Sequence, residues 1–202
     1  MRTCSVILNV GLLVLLALSG CSVTRTVEVE VFRPLPAQPL QKILVVGLHE
    51  NGRVRRIFEN TLVAELTAHG AEGVPSYRFI YQESALNVQR IKRAIEESKV
   101  DGVITARVLD ADLRNRPSPQ VTAAPATDAF DLESAAPPQV QNLMPRKPSR
   151  VTIQTNTYAA AGTTLLLTAT SRAINPESVE ELSQEISEET IRSLAHEKLL
   201  PR

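Results

Sequence analysis

The stretch Lys42–Phe58, "KILVVGLHENGRVRRIF", predicts a strand, a loop and the start of a helix. Ile43–Leu48 is a continuous run that is apolar except for one glycine, which is typical of a strand covered on both faces. From Gly52 to about His69, apolar residues recur at spacings of three and four, which predicts a helix with one apolar stripe. That stripe consists of Val54, Ile57, Phe58, Leu62 and Leu66. Gly70 follows where a left-handed helix cap is expected.

The segments that follow extend this unit into a sheet. In chain order they predict a strand over 73–82, a helix over 85–99, a strand over 100–112, a hairpin over 151–170 with its turn near Gly162, and a helix from Asn175 to about Leu199. Asn175 is a favourable N-cap, and Pro176 suits a first helical turn. Parallel strands joined by helices, then a hairpin, predict a single α/β domain with a mixed sheet, in the order βαβαβ followed by a hairpin and a C-terminal helix.

Two proline-rich stretches set the predicted boundaries. Residues 114–149 contain seven prolines and bury too little apolar surface to offset the entropy of ordering, so we predict a long disordered insertion. Within residues 21–41, Val and Glu alternate over 27–31, which is a strand signal, and three prolines then stop it and favour an extended linker, so we predict a tether. The folded domain is therefore predicted to span 42–202, around the insertion.

The first 20 residues have the order of a secretory signal peptide. Arg2 supplies the charge, Val6–Leu18 is the apolar run, and small residues follow. The run is shorter than the roughly 20 residues that span a bilayer. Leu18-Ser19-Gly20-Cys21 resembles the lipobox of bacterial lipoproteins. That resemblance implies cleavage between Gly20 and Cys21, a diacylglycerol on the Cys21 sulfur and an acyl chain such as palmitate on its amine.

Cysteine content and charge fit a lipid-anchored chain. Cys4 and Cys21 are the two cysteines of the sequence, and Cys4 would leave with the signal peptide, so no internal disulfide is expected.

Ser22, rather than Asp, follows the lipidated position, which by resemblance to enterobacterial lipoproteins implies an outer-membrane location facing the periplasm. With 22 basic and 22 acidic residues, nothing in the sequence suggests a nucleic-acid partner, which would call for a clustered basic surface. We expect the lipid bilayer and an unidentified envelope protein as partners.

The loop after the first buried strand has nearly the spacing of a phosphate-binding P-loop. Gly47 and Gly52 fit that motif, but Arg53 stands at the lysine position and Val54 at the position of the magnesium-binding hydroxyl. Since a valine side chain cannot bind magnesium, we interpret Gly47 as a strand end and Gly52 as a turn residue. No cofactor is predicted.

A weaker anion site remains open at the same helix start. Gly52, Arg53 and Arg56 are its candidate residues, because backbone N–H groups and cationic side chains could meet there. The alternative is that Arg55 and Arg56 pair with Glu59 on the helix surface, at spacings of four and three. We favour the second interpretation.

Other possible catalytic groups do not form a recognisable constellation. His49-Glu50 lacks the second histidine that a zinc protease motif requires four positions after the first. Asp110 and Asp112 share one face of a strand end, and we interpret them as solvated acids rather than as a catalytic pair. His69 and His196 lie near predicted helix ends, where a positive charge is favourable. We predict neither a metal site nor an enzyme.

Three segments carry a resemblance to a family: "KILVVGL…VRRIFENTLVAELTAHG", "SKVDGVITARVLDAD" and "TTLLLTATSRAINPES". They resemble a group of uncharacterised bacterial lipoproteins that carry a domain of unknown function. The resemblance implies a fold akin to the amino-terminal domain of TolB, to the lipoprotein activators of penicillin-binding proteins and to the curli secretion lipoprotein. It implies fold and compartment rather than an activity.

Two functions follow as hypotheses. The first is a non-enzymatic, membrane-anchored periplasmic lipoprotein that serves as an interaction or envelope-assembly module. The alternative is an oligomeric component of an outer-membrane secretion or pore assembly, which rests on analogy of fold.

Overall fold

The computed structural model describes residues 26–81, 86–113 and 148–201. Within these residues the strands form one six-stranded mixed sheet in the order β1-β6-β5-β4-β2-β3. In chain order the elements are β1 (Thr26–Val31), β2 (Lys42–Leu48), α1 (Gly52–Ala68), β3 (Glu72–Pro75), α2 (Val88–Ser98), β4 (Gly102–Leu113), β5 (Pro148–Ala159), β6 (Thr164–Ile174) and α3 (Val179–His196). The predicted single α/β domain, with its βαβαβ unit, hairpin and C-terminal helix, is confirmed.

The sheet has a parallel half and an antiparallel half. Strand β2 lies between β3 and β4 and is parallel to both. Strand β5 then pairs antiparallel with β4, β6 pairs antiparallel with β5, and β1 closes the sheet antiparallel to β6. This matches the expectation that the helices connect parallel strands while the hairpin adds antiparallel ones.

Helices lie on both faces of the parallel half. Ile43 and Val45 point to the face that carries α1 and α3, which we call the core face. Leu44 and Val46 point to the opposite face, which carries α2 and which we call the second face. All four side chains are fully buried, which explains why β2 reads as an unbroken apolar run.

In the antiparallel half, the core face is mostly apolar and the second face is mostly polar. One row of the core face, in register across four strands, consists of Val31, Leu167, Thr157 and Ile104. The second face of the same strands carries mostly polar side chains, which are Glu28, Glu30, Arg107, Gln154, Asn156, Thr168 and Thr170. The alternation in sequence is the usual mark of a sheet with one covered face.

The folded domain begins earlier than predicted. Residues 26–31, predicted as part of the tether, pair with β6 over six register positions. Leu40, just before β2, is 3% exposed, and its N–H donates to the Leu199 carbonyl oxygen at 2.9 Å. Within the described residues the folded domain therefore includes Thr26–Gln41 as well as the predicted span from residue 42, because both β1 and the connecting segment pack on the domain.

Three element boundaries also differ from the predictions. The second strand ends at Pro75, because Ser76–Arg78 turn into a 3-10 helix. The last helix begins after Ser178, whose side chain accepts from the Glu181 N–H, while Asn175 adopts a left-handed φ of 51° at the end of β6. Pro148 already belongs to β5, so the predicted insertion ends before it; residues 114–147 lie outside the described residues.

Candidate functional site at the ends of the parallel strands

The carboxyl ends of β2 and β3 meet the start of α1, which is where open α/β sheets commonly bind ligands. Here the position is filled by the chain itself. Glu59, about two turns into α1, turns its side chain inward and is 0% exposed. Arg55, one turn earlier on the same helix, is 2% exposed. A buried ion pair therefore occupies the crevice.

Four groups donate hydrogen bonds to the Glu59 carboxylate. Oε1 accepts from the Gly47 N–H at 3.0 Å, from Arg55 Nε at 2.8 Å and from the Ser76 hydroxyl at 2.7 Å. Oε2 accepts from the Tyr77 N–H at 3.1 Å. The carboxylate is thus held by one cation, one hydroxyl and two backbone amides from three separate segments, and we call this set the Glu59 cage.

The local sequence explains how the cage closes. Arg55 also donates from a terminal guanidinium nitrogen to the Ser76 hydroxyl at 2.8 Å, so the serine bridges the two charged groups. Ser76 opens the 3-10 turn that ends β3, and this turn aims its hydroxyl and the next N–H at α1. An added Cβ at Gly47 would come within 3.3 Å of Arg55 Cγ, so a side chain there would crowd the guanidinium stem. A buried charge is tolerated only with such complete pairing.

The residues predicted as an anion site do not converge on a common point. Gly52 begins α1, and the two N–H groups that follow, of Arg53 and Val54, both donate to the Asn51 side-chain oxygen. Arg53 lies 3.8 Å from Glu180 of α3, with both side chains exposed. Arg56 lies over the Tyr77 ring, 5.7 Å from its centroid. The geometry gives the anion-site hypothesis no support, because the amides are already capped and the arginines have separate partners.

The pairing of Arg55 with Glu59 was predicted, but its environment was not. The interpretation of a surface pair is wrong, because Arg55 and Glu59 are buried together. Arg56, the other proposed partner, contacts Tyr77 instead. The spacing of four predicts the pair. Its burial comes from Ser76 and Tyr77, for which the sequence instead predicts a strand that continues to residue 82.

His49 sits in the loop between β2 and α1. Its Nδ1 accepts from the Asn51 N–H at 2.9 Å, so the ring helps to hold the residue that caps α1. Burial lowers the pKa of His49 below its ordinary value of 6.5, against the opposing effect of the neighbouring Glu50 carboxylate. The histidine therefore acts as a neutral acceptor in the loop.

The remaining sequence candidates lie apart from the cage. Asp110 is half-buried on β4, opposite Thr152. His69 caps the end of α1, and His196 ends α3, as their positions predicted. Gly20 and Cys21, the predicted cleavage and lipidation positions, lie outside the described residues. No group of three potential metal-binding side chains occurs in the part of the chain that the structure describes. Among those same residues, no helix is long and apolar enough to cross a membrane.

Comparisons with known proteins give similarity of fold only. No protein-family model matches the chain, and no curated protein matches it significantly. The PelC dodecamer from Paraburkholderia phytofirmans is similar in two crystal forms, with TM-scores of 0.49 and 0.47, 11% identity, and coverage of 89% of this chain and 100% of that one. Lipoprotein GNA1162 from Neisseria meningitidis has a TM-score of 0.43 and 14% identity, covering 77% of this chain and 99% of that one. Because all three scores are below 0.5, no residue role or assembly is transferred from these proteins.

Proposed function

We propose that this chain is a non-enzymatic lipoprotein, anchored in the outer membrane through Cys21 and facing the periplasm, where its α/β domain binds an envelope protein. The observation that carries the proposal is the Glu59 cage. The crevice that would admit a small anionic substrate holds the chain's own carboxylate, with two backbone amides already bonded to it. We infer from this arrangement that the domain acts through its surface.

The lipobox at Leu18-Ser19-Gly20-Cys21 supports the anchor. A diacylglycerol with a further acyl chain provides the two or more chains that stable membrane attachment requires. The fold supports presentation of the domain near the membrane, because the described chain begins with β1 at one edge of the sheet. Only a short segment then separates Cys21 from the folded domain.

The anchor is tested by labelling cells with a palmitate analogue. The wild-type chain should incorporate the label and sediment with outer-membrane vesicles, and Cys21→Ser should do neither. Cys4→Ser is the matched control, since its thiol lies in the segment predicted to be removed, and it should behave as wild type. Label incorporation that persists in Cys21→Ser would contradict the anchor.

Partner binding is tested by crosslinking the tagged, lipidated protein in cells and identifying the products by mass spectrometry. A version lacking residues 114–147 should run beside it; the deletion stops before Pro148 because β5 begins there. A distinct envelope protein among the products supports the proposal. Crosslinks between copies alone, with large species in detergent sedimentation, would instead favour the oligomeric secretion or pore assembly. No crosslinks from either version would contradict both.

A further inference from the structure

The two edges of the sheet are built differently. Edge strand β3 has four residues, including Gly73 and Pro75, and turns directly into a 3-10 helix. Edge strand β1 has six residues, none of them Gly or Pro, and pairs with β6 along its full length. Short edges with proline resist the addition of another strand, whereas a regular edge accepts one.

The alternation of hydrogen-bonded pairs between β1 and β6 shows which backbone groups of β1 face outward. The Phe32 N–H donates to the Leu166 carbonyl oxygen at 2.9 Å, and the register makes these two residues an opposed pair. In an antiparallel ladder such bonded pairs alternate, so Glu28 and Glu30 direct their N–H and C=O groups towards β6. Val29 and Val31 direct theirs away from the sheet. An incoming strand would meet these two valines.

The side chains of β1 are sorted by charge. Val29 and Val31 lie on the core face; Val29 is 43% exposed, and Val31 packs against the core. Glu28 and Glu30 lie exposed on the second face. Their opposed residues on β6 are Thr170 and Thr168, which carry no charge. The edge therefore presents an apolar row on one side and an acidic row on the other.

This pattern opposes pairing of β1 with β1 of a second copy. Strand addition must place outward-facing residues opposite each other, so Glu28 and Glu30 of one copy would face the same residues of the other. Each antiparallel register that places Val29 opposite Val27, Val29 or Val31 of the second copy puts at least one glutamate opposite a glutamate, and like charges in opposed positions are destabilising. The edge is thus biased towards a different strand.

We propose that the outer edge of β1 binds an extended segment of another protein in which basic residues alternate with aliphatic ones. The basic side chains would pair with Glu28 and Glu30, and the aliphatic ones would lie beside Val29 and Val31. Main-chain hydrogen bonds would supply affinity and the alternation would supply specificity, as in other cases of strand addition. This inference rests on the proposed function and assigns its binding surface.

The proposed pairing of basic side chains with Glu28 and Glu30 is tested with two peptides of about eight residues, within the usual range of strand lengths. One alternates Lys and Val, and the other alternates Glu and Val. Binding to the full chain is measured by fluorescence anisotropy at low salt. We expect the Lys peptide to bind at least about tenfold more tightly, which corresponds to several favourable opposed pairs. The double variant Glu28→Lys/Glu30→Lys should reverse the preference.

Glu96→Lys/Glu97→Lys provides the matched control, because these exposed glutamates lie on α2, away from the edge. It changes net charge by the same amount and should keep the wild-type preference. The proposal is overturned if neither peptide binds, or if the control reverses the preference as fully as the edge variant does.

The backbone requirement is tested with Val29→Pro. The N–H of this residue faces away from β6, and proline is tolerated on edge strands at such positions. We expect the thermal unfolding profile to show a folded domain while affinity for the Lys peptide falls about tenfold or more. Val29→Thr keeps the N–H and should bind as wild type. Equal affinity in all three proteins would exclude strand addition at this edge.

A crosslinking amino acid in the lipidated protein separates this inference from the proposed function. It is placed at Val29 or, as a comparison, at the exposed Lys92 of α2. A partner captured from Val29 supports the edge, and one captured from Lys92 alone overturns the edge while leaving the proposed function standing. Capture from neither position, together with a negative result in the general crosslinking experiment, counts against the proposed function itself.

Discussion

The parallel and antiparallel halves of the sheet treat charge in opposite ways. In the parallel half, Arg55 and Glu59 are enclosed between α1 and the strand ends and satisfy each other. In the antiparallel half, Glu28 and Glu30 point to solvent beside uncharged threonines. Where both faces are covered, charge must be matched internally. Where one face is polar, charge remains available to a partner.

Removal of Glu59 is the strongest way to break this comparison. Glu59→Ala leaves Arg55 buried without its partner, and we expect a loss of about 3–5 kcal/mol in the free energy of unfolding. Glu30→Ala, in the antiparallel half, should change it by less than about 0.5 kcal/mol. Urea denaturation of both variants measures the difference. Similar losses in the two variants would mean that the enclosed pair has no special structural role.

The double variant Arg55→Met/Glu59→Met sharpens the same point. Because it removes both charges, we expect it to recover much of the stability that Glu59→Ala loses. If the double variant is as unstable as the single one, the loss arises from the missing hydrogen bonds of the Glu59 cage rather than from an unpaired charge.

Packing in the parallel half is tested by two glycines. A Cβ at Gly73 would lie 2.9 Å from the Val63 Cα of α1, and backbone cannot easily move. A Cβ at Gly102 would lie 2.8 Å from Leu40 Cδ1, at the flexible end of a side chain. We expect Gly73→Ala to cost about 1–3 kcal/mol and Gly102→Ala to cost less. Thermal unfolding of the two variants ranks them, and the reverse order would contradict this account of α1 packing.

Asp101 joins the two halves. Its carboxylate accepts from the N–H groups of Gln41 and Lys42 at 2.8 and 3.0 Å, and its carbonyl oxygen accepts from the Ala160 N–H at 2.9 Å. We expect Asp101→Ala to lower stability by about 1.5 kcal/mol, because two charge-assisted hydrogen bonds are lost. Asp101→Asn retains one acceptor oxygen and should lose less. Chemical denaturation compares the two, and equal losses would show that the charge, not the acceptor, matters.

The smallest expected effect is a pH dependence from His49. Because its pKa is lowered in the folded domain, the unfolded chain takes up the proton more readily below pH 6.5. Stability contributed by the neutral ring is therefore present above that pH and is lost as the pH falls towards the folded pKa. His49→Gln should unfold with a shallower loss of stability between about pH 7 and pH 5. Urea denaturation at the two pH values measures the free energy of unfolding, and an equal loss in the wild type and in His49→Gln would exclude this contribution.

The sequence predicts most elements of the parallel half because their signals are local. The apolar run of β2 and the stripe of α1 follow directly from periodicity, and Gly70 has the left-handed φ of 80° that its position predicts. The antiparallel half is predicted as far as the hairpin. What fails is β1: its alternation was recognised, but its partner β6 lies far along the chain, and the prolines after it favoured a tether.

At the candidate site, too, the sequence predicts local pairing but not the tertiary contacts around it. The spacing of Arg55 and Glu59 predicts their pairing, since four residues form one helical turn. Their burial depends on Ser76 and Tyr77, which reach the pair only because β3 ends at Pro75. Helix α3 likewise starts at Val179 because Asn175 takes the left-handed conformation and leaves the cap to Ser178. Such choices are settled by tertiary contacts that local propensity does not contain.

The pairing of β1 with a strand far along the chain has a consequence for the folding of the protein. Residues 26–31 meet residues 167–172, so this strand must close almost the whole described chain before it docks. Contacts between distant segments form slowly, because the chain loses the entropy of loop closure before those contacts stabilise it. We therefore expect β1 to dock after the other strands have paired. Until it docks, the edge of β6 would be open, and any strand competing for that edge would compete with the protein's own folding.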